Sequence, residues 1–426
     1  MNKVLAYIVC GWRVVKSGGN LNNGANAGVA YLNANNASSN ANVNIGSHLG
    51  DGMKIQLNQK YAITLALAKI HNKVKRVLVV LTKALKKPSQ MKRVNGLYDR
   101  IYDIENIRLA HKNARKGKSH YKEVISINEN PDHYFQQIHE MLKNKTFKNG
   151  PYTVFIKHDR TKDREIHKLP YFPDRIIHHC IMQVLDPIWN KLMIRDSYAS
   201  IKGRGIHDGF KRLKKALKDT SNTTYCLKLD IKKFYPSIDH NILKRLLRKK
   251  IKDNDVIWLL DTIIDSTKGV PIGNYLSQSL SNIYLTYFDH WIKEEKKIQH
   301  YFRYCDDMIL LSDSKPFLQD LLNEIREYLG MRLNLVLKSN YQVFPVDKRG
   351  IDFLGYRFYH THILLRKSIA KRIKRKILRL SNKVQLTYND LCAMASYRGW
   401  TMHCNGYKFT QKYLLQIDGT AAIPAV

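Results

Sequence analysis

The stretch Tyr301–Leu311, YFRYCDDMILL, places two adjacent carboxylates between two short apolar runs. Apolar runs on both sides of such a break predict a β-hairpin with Asp306 and Asp307 at its tight turn. Neighbouring carboxylates repel each other, so this placement is unfavourable unless a cation neutralises them. We expect Mg²⁺, because it prefers carboxylate oxygens and shares its other positions with water and phosphates.

A further carboxylate ends a strand earlier in the chain. Residues 225–230, YCLKLD, predict a short strand that ends at Asp230, and the FYPS sequence at 234–237 predicts a turn after it. A two-metal phosphoryl-transfer site needs a carboxylate that bridges both ions, and Asp230 is the candidate. The alternative for an isolated Asp-Asp pair is a solvated turn, but the apolar flanks and this second strand argue against it.

These two segments resemble motif A and the YxDD motif C of the reverse transcriptases. The resemblance implies an α+β right-hand polymerase with fingers, an antiparallel-sheet palm and a small helical thumb. It also implies RNA-directed DNA synthesis with two Mg²⁺ ions at Asp230, Asp306 and Asp307. Tyr235 stands where the family excludes a 2′-hydroxyl. Lys338, in a segment similar to motif D, is a candidate proton donor to pyrophosphate, although a lone lysine could equally be solvated.

Basic residues in two further segments are candidates for holding the incoming triphosphate. Residues 173–185 predict a helix and 197–205 a basic glycine loop, and they resemble motifs 1 and 2 of the family. The resemblance implies a dNTP-binding role for Arg175, Lys202 and Arg204, since an arginine fork matches phosphate oxygens. Each could also be a surface cation. The choice among them stays open, because Ile201 stands where the intron enzymes carry an arginine.

The stretch 269–282, GVPIGNYLSQSLSN, resembles motif B but departs from it at two positions. Most reverse transcriptases carry Gln before the glycine and Pro after the serine, where this chain has Ile272 and Gln278. The departure is similar to the reverse transcriptases of diversity-generating retroelements. It implies that Ile272 and Gly273 line the dNTP site, that Ile272 and Gln278 affect fidelity, and that adenines of a template-repeat RNA are copied with errors to diversify a target gene.

Two alternatives remain open at this point. One is a reverse transcriptase of retron or group II intron type, and the other is a catalytically silent RNA-binding protein on the same scaffold. The chain has 72 Lys and Arg against 35 Asp and Glu, a net charge of +37. Such a charge favours a polyanionic partner, here template RNA and the cDNA duplex. The family also implies a small basic accessory protein.

Cysteine usage and hydropathy bear on location. The six cysteines show no CxxC pattern, which suits a reducing cytoplasm, and the resemblance implies a bacterial or phage-encoded protein. No apolar run reaches the 18 or so residues of a membrane span, so we expect no membrane partner.

The composition divides the chain into four parts. Residues 1–52 are Asn-rich and resemble a translated template repeat, with a protein linker as the alternative. Residues 53–90 form a basic spacer that could be helical, and we expect the native start at Met91. Residues 91–345 are assigned to fingers and palm, including a strand pair at Tyr152–Ile156 and Glu165–Leu169. Residues 346–426 are assigned to the palm–thumb junction, with a segment similar to motif E, and a basic helical thumb.

Overall fold

The structure, a computed structural model, describes residues 92–159, 162–383 and 385–415. These ranges belong to one compact unit, Met91–Val426. The predictions for the Asn-rich segment 1–52 and the basic spacer 53–90 lie outside the described residues. Within the described ranges the cysteines are free thiols, and no helix is both long and apolar enough to cross a membrane.

Amphipathic helices form the first part of the described chain. Leu97, Ile101 and Ile107 are buried as their near-helical spacing predicts, whereas Leu109 is 49% exposed. The predicted helix at 173–185 is present but begins later and continues past Pro187. The helices are α1 Tyr98–Tyr102, α2 Ile104–Ala114, α3 Lys122–Glu129, α4 Pro131–Lys143 and α5 Ile176–Asn190.

A two-stranded antiparallel hairpin lies between α4 and α5. Its strands are β1 Thr153–Asp159 and β2 Lys162–Lys168, and Ile156 pairs with Glu165. The predicted strand pair is therefore present, but most of the predicted turn belongs to the strands. The amide of His167 donates to the carbonyl of Ile272 (2.8 Å), which attaches the hairpin to the motif B segment.

The central sheet is antiparallel and has the strand order β4-β5-β3-β6. One apolar cluster contains Leu227 and Leu310, and a second contains Cys226 and Leu311. Because neighbouring residues of a strand point to opposite faces, the sheet is covered on both sides. Its strands and the helices around it are α6 Ile206–Ala216, β3 Tyr225–Asp230, α7 His240–Arg248, α8 Asn254–Ile264, α9 Ser277–His290, β4 His300–Tyr304, β5 Asp307–Ser312, α10 Lys315–Leu333 and β6 Gln342–Pro345.

The last part of the described chain combines a small sheet with basic helices. The predicted basic helix is α12, which buries Ile373, Ile377 and Leu380 along one stripe. The prediction of an α+β fold with antiparallel sheets is confirmed. The elements are α11 Val346–Arg349, β7 Ile351–Phe353, β8 Tyr356–Phe358, β9 Ile363–Leu365, α12 Lys367–Leu380, α13 Tyr388–Met402 and α14 Tyr407–Phe409.

Removal of residues 1–90 should leave the melting temperature and the polymerase activity proposed below unchanged. The Asn-rich segment has little apolar pattern with which to form a core, so its loss removes no packed face. Thermal unfolding and primer extension by a chain that starts at Met91 measure this. An insoluble or inactive chain would contradict the prediction.

A second truncation, starting at Asp103, is the matched control. It removes buried Leu97 and Tyr98, whose amides donate to the Asp253 carboxylate at 2.7 and 3.1 Å. Because apolar contacts and hydrogen bonds to a buried carboxylate are lost together, this chain should be clearly destabilised.

Candidate active site

The three predicted carboxylates lie together at one end of the central sheet, where β3 ends and β5 begins. Tyr304 pairs with Asp307, so Cys305 and Asp306 form the two-residue turn between β4 and β5. The register of β3 against β5 places Asp230 directly opposite Asp307. Residues paired in this way have Cβ atoms about 4.5–5.5 Å apart. The hairpin predicted from the sequence is confirmed, and its acids lie beside the acid that ends β3.

Burial and mutual repulsion shift the acids towards their neutral forms. Burial, and then the charge of Asp230, raise the pKa of Asp306. Burial raises the pKa of Asp307 to about 6, partly offset by Lys228. One carboxylate oxygen (Oδ1) of Asp230 and one of Asp307 are buried without a hydrogen-bond partner. Buried carboxylate oxygens that lack partners fit a hard cation such as Mg²⁺.

The carboxylates are not arranged as a metal-ligand cluster. Within residues 92–159, 162–383 and 385–415, no three His, Cys, Asp or Glu side chains converge closely enough to hold a metal ion. Positive charge comes instead from two lysines. The ammonium of Lys338 forms a salt bridge with Asp230, and that of Lys228 lies 3.6 Å from Asp307 Oδ1. A metal ion at Asp307 Oδ1 would therefore compete with Lys228, whereas Lys338 contacts Oδ2 of Asp230 and leaves its Oδ1 without a partner.

Lys338 and Lys228 are held in place by different contacts. The Lys338 amide donates to the Asp230 carbonyl (2.8 Å), so its predicted position near the acids agrees with the structure. The Lys228 ammonium also donates to the carbonyl of Asp352. We did not predict Lys228 from the sequence. The signal was available, because residues two apart in a strand share a face, and Lys228 is two residues before Asp230.

Tyr235 lies against the turn of Cys305 and Asp306, which would be the catalytic turn of a polymerase. Its hydroxyl is 3.4 Å from the Cys305 sulfur, and burial raises its pKa. Gly269, in the segment before motif B, packs on the backbone of the Tyr235 turn. Its φ is +63°, and a Cβ atom there would lie 2.7 Å from the Pro236 carbonyl oxygen. A side chain at position 269 would therefore displace the turn that carries Tyr235.

Two of the residues predicted to bind dNTP, Arg175 and Gly273, line one cavity, whereas the predicted cations Lys202 and Arg204 do not. A cavity of about 210 Å³ is lined by Arg175 and Gly273, and also by Lys118, Lys168, Tyr121 and Tyr275, among other residues. Lys118 and Lys168 were not predicted.

The other two predicted cations do not line this cavity. The Arg204 guanidinium donates to the Ile194 carbonyl (2.5 Å). Burial raises the pKa of Asp186, and the charge of Lys202 offsets part of that rise. Arg204 is therefore committed to a backbone contact, while Lys202 is close enough to Asp186 to affect its ionisation.

The motif B segment contacts both the β1–β2 hairpin and the predicted motif 2 loop. Ile272 is half-buried and accepts the His167 amide through its carbonyl. Gly273 has a φ of +118°, and a Cβ atom there would lie 2.6 Å from the His167 carbonyl oxygen. The amide oxygen of Gln278 accepts the Ser200 hydroxyl (2.5 Å), so Gln278 contacts the predicted motif 2 loop.

Residues 155–358 match the family described as "Reverse transcriptase (RNA-dependent DNA polymerase)". These residues are similar to a reverse transcriptase domain, and they make up slightly less than half of the chain. An antiparallel sheet with the acids at one end is also what the resemblance implies for the palm of a right-hand polymerase. The family match thus agrees with the resemblance carried by motifs A and C.

Curated relatives include bacterial and intron-encoded proteins. Protein YkfC of Escherichia coli is 24% identical over 48% of this chain and 65% of its own length. Group II intron-encoded protein LtrA of Lactococcus lactis is 25% identical over 38% of this chain and 28% of its own. Retron Ec73 reverse transcriptase of Escherichia coli is 24% identical over 55% of this chain and 79% of its own. The chain spans less than two thirds of the length of YkfC and LtrA.

Among solved structures, the chain is similar to telomerases from Candida. Apo telomerase from Candida tropicalis has a TM-score of 0.41 at 15% identity, covering 54% of this chain and 50% of that one. The Candida tropicalis telomerase in complex with a TWJ fragment of telomeric RNA has a TM-score of 0.43 at 13% identity, covering 65% and 56%.

Proposed function

We propose that this protein is an RNA-directed DNA polymerase. The observation that carries the proposal is the register that sets Asp230 opposite Asp307, with Asp306 in the adjoining turn, inside the residues similar to a reverse transcriptase domain. These three acids would hold two Mg²⁺ ions once their side chains turn towards the ions and away from the ammonium groups of Lys338 and Lys228. Bound there, the ions would neutralise the triphosphate charge and acidify the primer 3′-hydroxyl.

The other residues of the site would bind and orient the nucleotide. The cations of the 210 Å³ cavity, Arg175 with Lys118 and Lys168, would bind phosphate oxygens. Tyr235, packed on the catalytic turn, would contact the sugar and exclude a 2′-hydroxyl. Lys338, paired with Asp230, would supply a proton to the departing pyrophosphate. The dispersed positive charge of the chain would bind the template RNA and the cDNA duplex.

The finer proposal is a reverse transcriptase of the diversity-generating type. The departures at Ile272 and Gln278 support it, since both lie in the segment that contacts the hairpin and the motif 2 loop. An apolar side chain before Gly273 offers no hydrogen bond to the nascent base pair. The preference for errors at template adenine, the template-repeat RNA and a small basic accessory protein are inferred from the family resemblance.

Sequencing the cDNA made from one defined RNA tests the proposal. Purified protein, a primed RNA, Mg²⁺ and four dNTPs should give cDNA with frequent misincorporation opposite adenine. Accurate cDNA would favour a retron or group II intron type. Binding of the RNA without any cDNA would favour a silent RNA-binding protein and would overturn the polymerase assignment.

Arg175→Ala should raise the KM for dNTP by roughly tenfold, because a hydrogen bond from a charged group is worth about 1.5–3 kcal/mol. Single-nucleotide incorporation at varied dNTP concentration measures this. Arg204→Ala and Lys202→Ala are the matched controls, since neither residue lines the cavity. A larger rise in KM for Arg204→Ala than for Arg175→Ala would move the triphosphate site to the motif 2 loop.

Asp307→Asn should stabilise the protein at neutral pH when EDTA is present. The raised pKa means that the folded protein binds this proton more tightly than the unfolded chain does. The stability that this carboxyl contributes is therefore complete below about pH 3.8 and is lost as the pH rises through about 6. A pKa raised from 3.8 to about 6 corresponds to about 3 kcal/mol, and partial exposure of the side chain reduces this to about 1–2 kcal/mol.

Urea unfolding between pH 4 and pH 8 measures this difference. The gain of Asp307→Asn over the wild type should grow with pH, whereas Asp313→Asn, at an exposed position after β5, should show no such trend. A constant difference across the pH range would contradict the prediction.

A further inference from the structure

A fully buried ion pair lies behind the catalytic turn. Arg303, on β4, and Asp289, on α9, both have no solvent exposure. The Arg303 Nε lies 2.8 and 3.0 Å from the two carboxylate oxygens, and Nη2 lies 2.6 Å from Oδ2. The Tyr301 hydroxyl donates to the same carboxylate (2.7 Å). Desolvation offsets much of the attraction in such a pair, so fold stability alone does not account for it.

The remaining contacts of Arg303 lead to the catalytic turn. Its Nη1 donates to the Cys305 carbonyl (3.0 Å) and to the Asn282 side-chain oxygen (3.1 Å). Asn282 and Asp289 are seven residues apart on α9 and therefore lie on one face of that helix. The guanidinium is thus fixed by the motif B helix on one side and bonds the motif C turn on the other.

Cys305, whose carbonyl accepts the bond from Arg303 Nη1, has a strained backbone conformation. Cys305 has a φ of +57°, a left-handed conformation in which a Cβ atom crowds the backbone. Its carbonyl belongs to the peptide that joins Cys305 to Asp306. Rotation of that peptide would swing the Asp306 carboxylate away from Asp230. An inward-pointing carbonyl, held by a charged donor, keeps the turn in this conformation.

We propose that Arg303 is a positioning residue for the catalytic acids. It holds the Cys305 carbonyl inward, which keeps the turn that carries Asp306 and Asp307 beside Asp230, and Asp289 fixes the guanidinium. The inference rests on the polymerase activity proposed above. The backbone of β4 is anchored independently, because the Arg303 amide donates to the Asp196 carbonyl (2.9 Å) and the Tyr198 amide to the Arg303 carbonyl (3.1 Å). A change of side chain should therefore leave the strand in place.

The test replaces the pair by apolar side chains of similar size, Arg303→Met with Asp289→Leu. Apolar replacement of a buried ion pair is often neutral for stability, so the melting temperature and primer–template binding should be retained. We expect kcat for incorporation to fall by roughly 10- to 100-fold, the range set by loss of a charge-assisted hydrogen bond, with little change in KM for dNTP. Unchanged kcat in this double variant would overturn the proposal.

Substitutions at Cys305 separate positioning from simple packing. Glycine adopts a positive φ without steric cost, so Cys305→Gly added to the double variant should restore part of kcat. Cys305→Ala, which keeps the Cβ atom, should restore none. Tyr301→Phe is a further control, because it removes a bond to Asp289 and leaves the Cys305 contact intact. No rescue by glycine, together with a lowered melting temperature, would assign the pair to folding alone and would overturn the positioning role.

Metal binding distinguishes failure of this inference from failure of the proposed function. If the wild type makes no DNA, the polymerase proposal fails, and the positioning role is then judged by Mn²⁺ titration of the same proteins. The double variant should bind Mn²⁺ at least tenfold more weakly than the wild type, and Cys305→Gly should recover part of the difference. Equal Mn²⁺ affinity in all variants would overturn the positioning role.

Discussion

Replacing Asp306 by alanine should abolish Mg²⁺-dependent dNTP incorporation, and so should Asp230→Ala. The two residues lie at adjoining positions at one end of the central sheet, and each would supply oxygens to the metal ions. Loss of such a ligand removes electrostatic stabilisation where charge develops, which costs about 10³-fold or more in rate, or at least about 4 kcal/mol. Single-turnover primer extension measures the loss.

RNA binding should survive these substitutions, because it depends on cations spread over the chain rather than on the acids. Filter binding of a labelled primer–template duplex checks this. Asp313→Ala, at an exposed position just after β5, is the matched control and should polymerise normally. If either acid variant retains substantial activity, the two-metal assignment is wrong.

Ile272→Gln should lower the error rate opposite template adenine by roughly 10- to 100-fold. A glutamine before Gly273 can hydrogen-bond near the nascent pair, whereas isoleucine offers apolar contact and branched bulk. One well-placed hydrogen-bonding constraint is worth about 1–3 kcal/mol in discrimination, which corresponds to that range. Copying one RNA with both proteins and sequencing the products measures the change.

Ile272→Val is the matched control for this comparison, since it keeps an apolar branched side chain and should keep the wild-type error spectrum. The Ile272 carbonyl bond to His167 is a main-chain contact that all three proteins can make. Equal error spectra for Ile272→Gln and the wild type would reduce Ile272 to a packing role.

The local pattern of apolar residues predicted the strands of the palm correctly. The apolar runs around Asp306 and before Asp230 indicate strands, and the structure shows why they do not alternate with polar residues. The palm sheet is covered on both faces, so Cys226 and Leu227, which point in opposite directions, are both buried. An antiparallel sheet that carries Asp230, Asp306 and Asp307 was implied by the family resemblance, whereas no local signal indicated that β3 pairs with β5.

The sequence patterns did not predict the contacts between distant segments. In the sequence, Arg303 is one basic residue among many. It is buried in the fold because Asp289, on a different element, lies next to it. Arg204 reads as a phosphate ligand until the fold places Ile194 beside it. Motif spacing cannot show which cations share a cavity, because that depends on how the helices around α5 pack. Lys118 and Lys168 were missed for this reason, whereas the strand period did offer a signal for Lys228.

The strand order of the palm also fixes when the protein can become active during synthesis. β3 lies between β5 and β6, and both of these partners are translated long after β3 itself. Pairings between segments so distant in sequence close slowly and only after much of the chain is available. A nascent chain still tethered to the ribosome near residue 300 therefore has Asp230 without its partner strands. We therefore expect the proposed catalytic competence only after residues through Pro345 have emerged and the repelling carboxylates have been brought together.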